Sequence, residues 1–193
     1  MKEYRFKALI FDMDGTLTRP TLDFQAIRRE TGILSGDLAE EIPKRSPKEQ
    51  KRVWAIIEAH EERAMKSQEL QEGSRELLEE CYKKAIKVGV VTRNAGRSVE
   101  HLCRKYELHF DAVVTREFPF LKPHPAPILH MLKKWQIDPE SALMIGDYVH
   151  DMECGIAAGT KTCFFQNPGM PSYNKNADFV VSSMNNLGRI IFA

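Results

Sequence analysis

Long hydrophobic runs are missing from this chain of 193 residues. No segment approaches the ~18 uninterrupted apolar residues of a membrane-spanning helix, so no membrane anchor is expected. An excess of either charge is missing too: 28 lysines and arginines face 27 aspartates and glutamates, a formal net charge of +1. A dedicated nucleic-acid binder usually carries a clear basic excess, and electrostatic attachment to a membrane needs one. Neither partner is therefore expected. Cysteine is sparse. Cys81, Cys103, Cys154 and Cys163 are scattered, and none belongs to a CxxC pair. That excludes a disulfide framework and fits the reduced thiols of an intracellular protein. No long apolar stretch follows Met1-Lys2-Glu3-Tyr4-Arg5, so no signal peptide is expected and the cytoplasm is the default. Internal repeats, low-complexity tracts and a glycine-rich dinucleotide fingerprint are also absent from the sequence.

What is present suits one compact domain with a small insertion, since hydrophobic residues make up 42% of the chain. Six short apolar runs predict strands at 8–11, 88–91, 112–114, 142–145, 162–165 and, at an edge, 179–181. From Gly73 onward, helical patterns alternate with them, at 74–86, 96–106, 126–135 and 150–158. Such alternation predicts an α/β fold, a doubly wound parallel sheet with helices on both faces. Residues 19–72 break the pattern. They hold a short helix at 22–30, then Ser46-Pro47-Lys48-Glu49, a capping box with proline at the first helical position. The helix it opens carries Val53, Ile56, Ile57, His60 and Ala64 on one stripe. Residues 1–18 and 73–193 are thus expected to form the core, and 19–72 a helical cap.

In an open parallel sheet, functional groups gather at the carboxyl ends of the strands. The first run, LIFDMDGTLT, ends in Asp12 and Asp14; the second ends in Thr92; the third is followed by Lys122; the fourth ends in GDYVHD, with Asp147 and Asp151. These residues would share one crevice. Asp12, Asp14 and Asp147 offer hard oxygen ligands that suit Mg²⁺, and clustered carboxylates without a cation repel until some protonate. Thr92 can donate a hydrogen bond and Lys122 carries a positive charge, both suited to a phosphoryl group. Gly15 lets backbone N–H groups approach the same oxygens. One carboxylate can then attack phosphorus and form an aspartyl phosphate, while a second, two residues on, protonates the leaving oxygen.

This order of motifs resembles the haloacid dehalogenase-like (HAD) hydrolase superfamily, in which DxDGT, a strand-ending Thr or Ser, a Lys and a late acidic motif follow one another. The resemblance covers the whole chain, and the early helical cap is similar to subfamily I, in its phosphoglycolate phosphatase-like branch. It implies Asp12 as nucleophile and Asp14 as general acid and base. It also implies substrate contacts from Thr92, Arg93 and Lys122, and Mg²⁺ held by Asp12, the backbone carbonyl of Asp14, and Asp147. Asp151 would act behind these ligands or through a water. The chain departs from the pattern at Arg93, where relatives often have Asn or Gly, and at LQEGSRELL, which lacks a proline many relatives place before the glycine.

The implied function is a Mg²⁺-dependent phosphatase acting on a small phosphorylated metabolite. A phosphomutase would keep every catalytic residue and stays open on sequence. A phospho-accepting signalling module, like a response-regulator receiver, is less well matched, because receivers carry the acid pair and the acceptor on different strands. An EF-hand reading of DMDGT fails, because its sixth position would be Leu17 instead of glycine. Weaker features get plainer readings. His124, between Pro123 and Pro125, stiffens a turn; His150, beside the acids, is open between a substrate contact and a solvated histidine; Gly155 and Gly159 allow close helix–sheet packing. Lys44, Arg45, Lys48, Lys51 and Arg52 read as a solvated face, although cations at a helix start oppose its dipole. With ten basic and eleven acidic residues in 19–72, the cap offers no field to draw in a polyanion. It is expected to gate the site and admit small esters.

Overall fold

The computed structural model describes residues 5–193; the opening Met1-Lys2-Glu3-Tyr4 stretch, read above as no leader, lies outside the described residues. Strand β1 (Ala8–Phe11) is buried along its whole length, as a strand covered on both faces must be. Strands β2 (Lys87–Val91), β3 (Ala112–Val114), β4 (Ala142–Gly146), β5 (Lys161–Phe165) and β6 (Phe179–Val181) complete one sheet in the order β3-β2-β1-β4-β5-β6. Every pairing is parallel. All six expected runs are strands, and the α/β doubly wound class is the one observed.

Side chains alternate across the sheet with the two-residue period of a strand. Leu9, Phe11, Val88, Val90, Leu143 and Ile145 face one core. Helices α4 (Ser74–Lys83), α5 (Gly96–Tyr106) and α8 (Met184–Ile191) supply Leu77, Leu78, Leu102, Leu187 and Ile191 to it. Ala8, Ile10, Ala142 and Met144 face the other core, with Ile128 and Met131 of α6 (Ala126–Trp135) and Cys154 of α7 (Val149–Ala158). Gly155 of α7 packs as expected: a Cβ there would press on Thr162 and Met144. Gly159 does something else. It ends α7 in the left-handed conformation, φ 78°, donating to the Gly155 and Ile156 carbonyls.

Both sheet edges are closed by the same device. Each edge strand is three residues long and preceded by an aspartate. Asp111 accepts from the Val88 N–H at 2.9 Å and from Lys87 Nζ at 2.5 Å. Asp178 accepts from the Thr162 N–H at 2.9 Å and from Lys161 Nζ at 2.8 Å. Burial pushes both carboxyls up, but these donors outweigh it and hold both below their ordinary range. Short, charged edges of this kind discourage pairing with another sheet.

The chain divides into two compact units, Met1–Pro20 with Glu69–Ala193, and Thr21–Gln68. The expected boundaries lay at 18 and 73. Two backbone bonds, Arg19 N–H to Glu69 O and Gln71 N–H to Leu17 O, both at 2.9 Å, zip the outgoing and returning segments together and carry a few more residues into the first unit. Within the second unit, α1 (Phe24–Thr31), α2 (Leu38–Glu41) and α3 (Pro47–Ser67) enclose Ile33, Ile42 and Val53. Ser46 Oγ accepts from the Glu49 N–H at 3.4 Å, the first half of the expected capping box. The basic cluster is largely spent inside this unit. Lys44 pairs with Glu41, Arg45 with Glu49, and Arg52 donates to the Glu30 and Thr31 carbonyls at the end of α1.

Three elements escaped sequence reading: α2, a 3₁₀ turn at Pro139–Ser141, and α8. Helix α4 also stops at Lys83, short of the expected 86, because Ala85 turns left-handed at φ 55° and Ile86 donates back to the Cys81 carbonyl. The four cysteines are free thiols. Among the described residues, no helix is long and apolar enough to cross a membrane.

Candidate active site

Strand order reverses between β1 and β4, and this is where open α/β sheets bind ligands. Asp12 stands at that seam, its N–H continuing the ladder to the Ile145 carbonyl at 2.8 Å. The chain then turns tightly. Thr18 returns its N–H and Oγ1 to the Met13 carbonyl, at 3.0 and 3.1 Å, and Gly15 donates to the Thr18 carbonyl at 2.9 Å. Gly15 has φ 88°, and a Cβ there would overlap the Asp147 carboxylate. Two independent demands, conformation and space, therefore fix glycine at this position.

Lys122 is the hub. It is 4% exposed, and its Nζ donates to Asp12 Oδ1 and Asp151 Oδ1, each at 2.6 Å. Asp151 is held in turn by its place in α7, where its other oxygen accepts from the Tyr148 N–H at 3.0 Å. Carboxylate oxygens of Asp12, Asp147 and Asp151 all lie within 4.8 Å of one another. Asp14 is partly exposed and close enough to Asp147 to raise its pKa, though its carboxylate is outside that trio.

The electrostatics follow from burial. Desolvation pushes Asp12 up to about 7, with the Asp151 charge adding and Lys122 opposing. Asp147 is pushed up to about 8, by burial first and then by Asp12, Asp151 and Asp14. Burial disfavours the Lys122 ammonium, yet Asp12 and Asp151 outweigh it and hold its pKa above the ordinary range. One ammonium thus serves a buried group of acids it cannot neutralise. A hard divalent cation fits the remainder: three carboxylates within one ion's reach, all oxygen donors.

Thr92 is buried just past β2. Its N–H reaches the Val114 carbonyl at 2.9 Å, and its Oγ1 accepts from the Asn94 N–H at 3.1 Å, which fixes the side chain and leaves the hydroxyl proton to be donated. Arg93 places Nη1 2.7 Å from His150 Nδ1. Of the two readings of His150, a solvated side chain is the one the structure disfavours: it meets Arg93 and packs edge-on against Tyr148. His124 behaves as read, stacking on Phe120 and accepting from the Ala126 N–H at the start of α6.

Asn167 was missed. It is buried, and its Nδ2 donates to the Gly15 carbonyl at 2.6 Å and to Asp147 Oδ2 at 3.2 Å, while its Oδ1 accepts from Gln71 at 2.8 Å. It ties the acid turn after β1 to the acid after β4. Its signal was available, since it lies two residues past β5, where the strand-end rule applies again. A groove of about 820 Å³ between α4 and α8, lined by residues including Glu76, Leu77, Met184 and Phe192, shares none of these residues.

Known proteins resemble this chain in sequence and fold. A family model for haloacid dehalogenase-like hydrolases matches residues 21–165. A haloacid dehalogenase-like hydrolase domain-containing protein of Arabidopsis thaliana is 33% identical over 196 residues, spanning 93% of this chain and 78% of that protein. An uncharacterized hydrolase of Saccharomyces cerevisiae is 36% identical over 171 residues, 83% of this chain and 78% of its own length. The crystal structure of a predicted phosphoglycolate phosphatase from Haemophilus somnus shares the fold, with a TM-score of 0.76 at 18% identity, covering 96% of this chain and 98% of that one. The chain belongs to the haloacid dehalogenase-like hydrolase family.

Proposed function

We propose that the protein is a Mg²⁺-dependent phosphatase that hydrolyses a small phosphorylated metabolite through an aspartyl phosphate. The observation that carries this reading is the Lys122 ammonium clamped between Asp12 and Asp151, with Asp147 within reach of both acids, at the β1–β4 seam.

Asp12 is the nucleophile. Its Oδ1 is tied to Lys122, which aims Oδ2 at phosphorus. The ester oxygen leaves as the Asp12–phosphorus bond forms, and Asp14 gives it a proton. Asp14 then takes a proton from the water that cleaves the aspartyl phosphate. Lys122 spends two of its three N–H groups on Asp12 and Asp151; the third, with the Thr92 hydroxyl, holds the phosphoryl oxygens. Arg93 completes the substrate-binding set. Asp12, the backbone carbonyl of Asp14, and Asp147 would hold Mg²⁺, whose charge offsets that of the carboxylates and of the phosphoryl group. Asn167 positions Asp147 for that task.

The raised acids give a pH test. Unfolded, Asp12 and Asp147 lose their protons near the ordinary 3.8; folded, without a cation, they keep them to about 7 and 8. The native state then binds more protons across that window, so the metal-free protein loses stability as pH rises from about 4 to about 8. Mg²⁺ must displace these protons, so its affinity rises over the same range. Thermal melts should show a larger Mg²⁺-induced rise in Tm near pH 8.5 than near pH 5.5, and EDTA should stop hydrolysis of an aryl phosphate. Equal stabilisation at both pH values, or full turnover in EDTA, would contradict the metal assignment.

The helical unit belongs to the proposal as the cap, the segment that discriminates among leaving groups. Replacing residues 21–68 by a short Gly/Ser loop should flatten kcat/KM across small esters while the sheet unit still melts cooperatively. Unchanged selectivity after the replacement would remove this role.

A further inference from the structure

Asn167, two residues past β5, joins three other segments of the chain. Its amide nitrogen donates one hydrogen to the Gly15 carbonyl, in the turn after β1, and the other to Asp147 Oδ2, after β4. A backbone carbonyl can only accept, so the nitrogen must face this side and Oδ1 the other. There Gln71 Nε2 donates to Oδ1 at 2.8 Å, from the segment that returns out of residues 21–68. Both partners of this bond sit on anchored backbone. The Gln71 N–H donates to the Leu17 carbonyl at 2.9 Å, and its own carbonyl accepts from the Ser74 N–H, at the start of α4, at 3.1 Å. The Asn167 carbonyl accepts from the Met170 N–H at 3.3 Å and from Gln166 Nε2 at 3.0 Å. Gly15 meanwhile packs directly on the Asp147 carboxylate, since a Cβ there would overlap it. One buried amide thus sets how the turn after Asp12 sits against the acid after β4, and Gln71 sets the direction of that amide.

We propose that Gln71 and Asn167 act as one positioning pair, which fixes the rotation of Asp147 and its spacing from the acid turn so that Mg²⁺ finds its ligands in place. Asn167 holds the ligand; Gln71 acts through Asn167, from a segment that sequence order separates from every acid of the site. Groups that orient metal ligands from behind are typically worth about 10–100-fold in metal affinity. This role rests on the phosphatase reading for the metal it serves.

Mg²⁺ binding to the full chain, by titration calorimetry at pH 8 without substrate, tests the pair on proteins that melt cooperatively in EDTA. Asn167→Ala should weaken binding at least ~10-fold. Gln71→Ala should weaken it about 2- to 10-fold, the scale of one neutral hydrogen bond. Once Asn167→Ala is in place, adding Gln71→Ala should change the affinity by less than about 2-fold, because the two residues act in series. Gln71→Glu separates the pair from simple electrostatics. A new carboxylate near the acids would, by charge alone, draw the cation in and tighten binding. Through Asn167 the sign reverses: a carboxylate only accepts, so the Asn167 amide turns over to donate to it and presents its oxygen to the Gly15 carbonyl and Asp147. Gln71→Glu should therefore bind Mg²⁺ at least as weakly as Gln71→Ala. Gln71 is half-buried, so its variants keep the test open if Asn167→Ala does not fold. Wild-type affinity in both Gln71 variants, or tighter binding by Gln71→Glu, overturns the pair. The same result beside brisk Mg²⁺-dependent hydrolysis of an aryl phosphate overturns the pair and spares the phosphatase reading. Weakened affinity in these variants, with no phosphate ester hydrolysed even by the wild type, supports the pair and sinks the phosphatase reading. A wild-type protein that binds no Mg²⁺ overturns the pair together with the metal assignment.

Discussion

Asp12→Asn protein is expected to fold, to melt at or above the wild-type temperature in EDTA near pH 8, and to lose hydrolysis by at least ~10⁴-fold, the scale seen when a catalytic nucleophile is removed. The two halves of this result share one cause. Burial makes ionised Asp12 costly, which is why its pKa is pushed up to about 7. The amide that replaces it is close in shape, carries no charge, and keeps an oxygen to accept from Lys122 at the position Oδ1 now holds. The strain of crowded acids is thereby relieved, and the nucleophile is lost with it. Such a trade between stability and activity is common at active sites. Thermal melts beside aryl phosphate hydrolysis would check both halves. A folded, active variant would end the covalent mechanism; an inactive variant that is also strongly destabilised would mean that ionised Asp12 supports the fold.

Lys122→Ala should do the opposite to stability and something similar to rate. The ammonium is 4% exposed and joins two acids at 2.6 Å each. Removing it leaves Asp12 and Asp151 facing each other across a buried gap. Breaking a buried pair by deleting one partner typically costs about 3–5 kcal/mol, and for a chain of this size each kcal/mol moves Tm by roughly 2–4 °C. A fall on the order of 6–20 °C in EDTA is therefore expected. The sign of its pH dependence follows from the acids. Asp12, pushed up to about 7 by burial, is protonated near pH 5 and largely ionised near pH 8 when Lys122 is present, so Lys122 stabilises it more, and its loss should cost more, at the higher pH. Hydrolysis should fall by at least ~10²-fold, the cost of one preorganised donor to transition-state charge. A variant with near-normal melting and kinetics would remove Lys122 from both roles.

Much of this was legible in the sequence, and the limits have physical causes. The strands were plain because a sheet buried on both faces demands continuous apolar runs, and ALIF, KVGVV and ALMIG are such runs. The acids were legible because they break off those runs abruptly. Helix α8 was not. Asn185, Asn186 and Gly188 are poor helix formers, and only the burial of Met184, Leu187 and Ile191, together with the Ser183 cap, holds that turn of chain as a helix. Asn167 hid for another reason: an asparagine after a strand is usually a turn residue, and its partners Gly15, Gln71 and Asp147 are distant in sequence. The same distance hid the link between Asp151 and Lys122. Lys122 was read as a phosphoryl contact, but that Asp151 shares its ammonium with Asp12 shows only once the fold brings both carboxylates to it. The basic residues of 44–52 misled in the other direction. Their crowding at a helix start looked unfavourable until Arg52 was seen to satisfy the carbonyls that end α1.

The most direct measurement is capture of the phosphorylated protein. Rapid acid quench during turnover of a phosphate ester in Mg²⁺, followed by peptide mass spectrometry, should find phosphate on Asp12, labile to hydroxylamine as an acyl phosphate is, and absent from the Asp12→Asn protein. Steady hydrolysis with no phosphate on Asp12 at any quench time, or phosphate on another residue such as His150, would contradict the account.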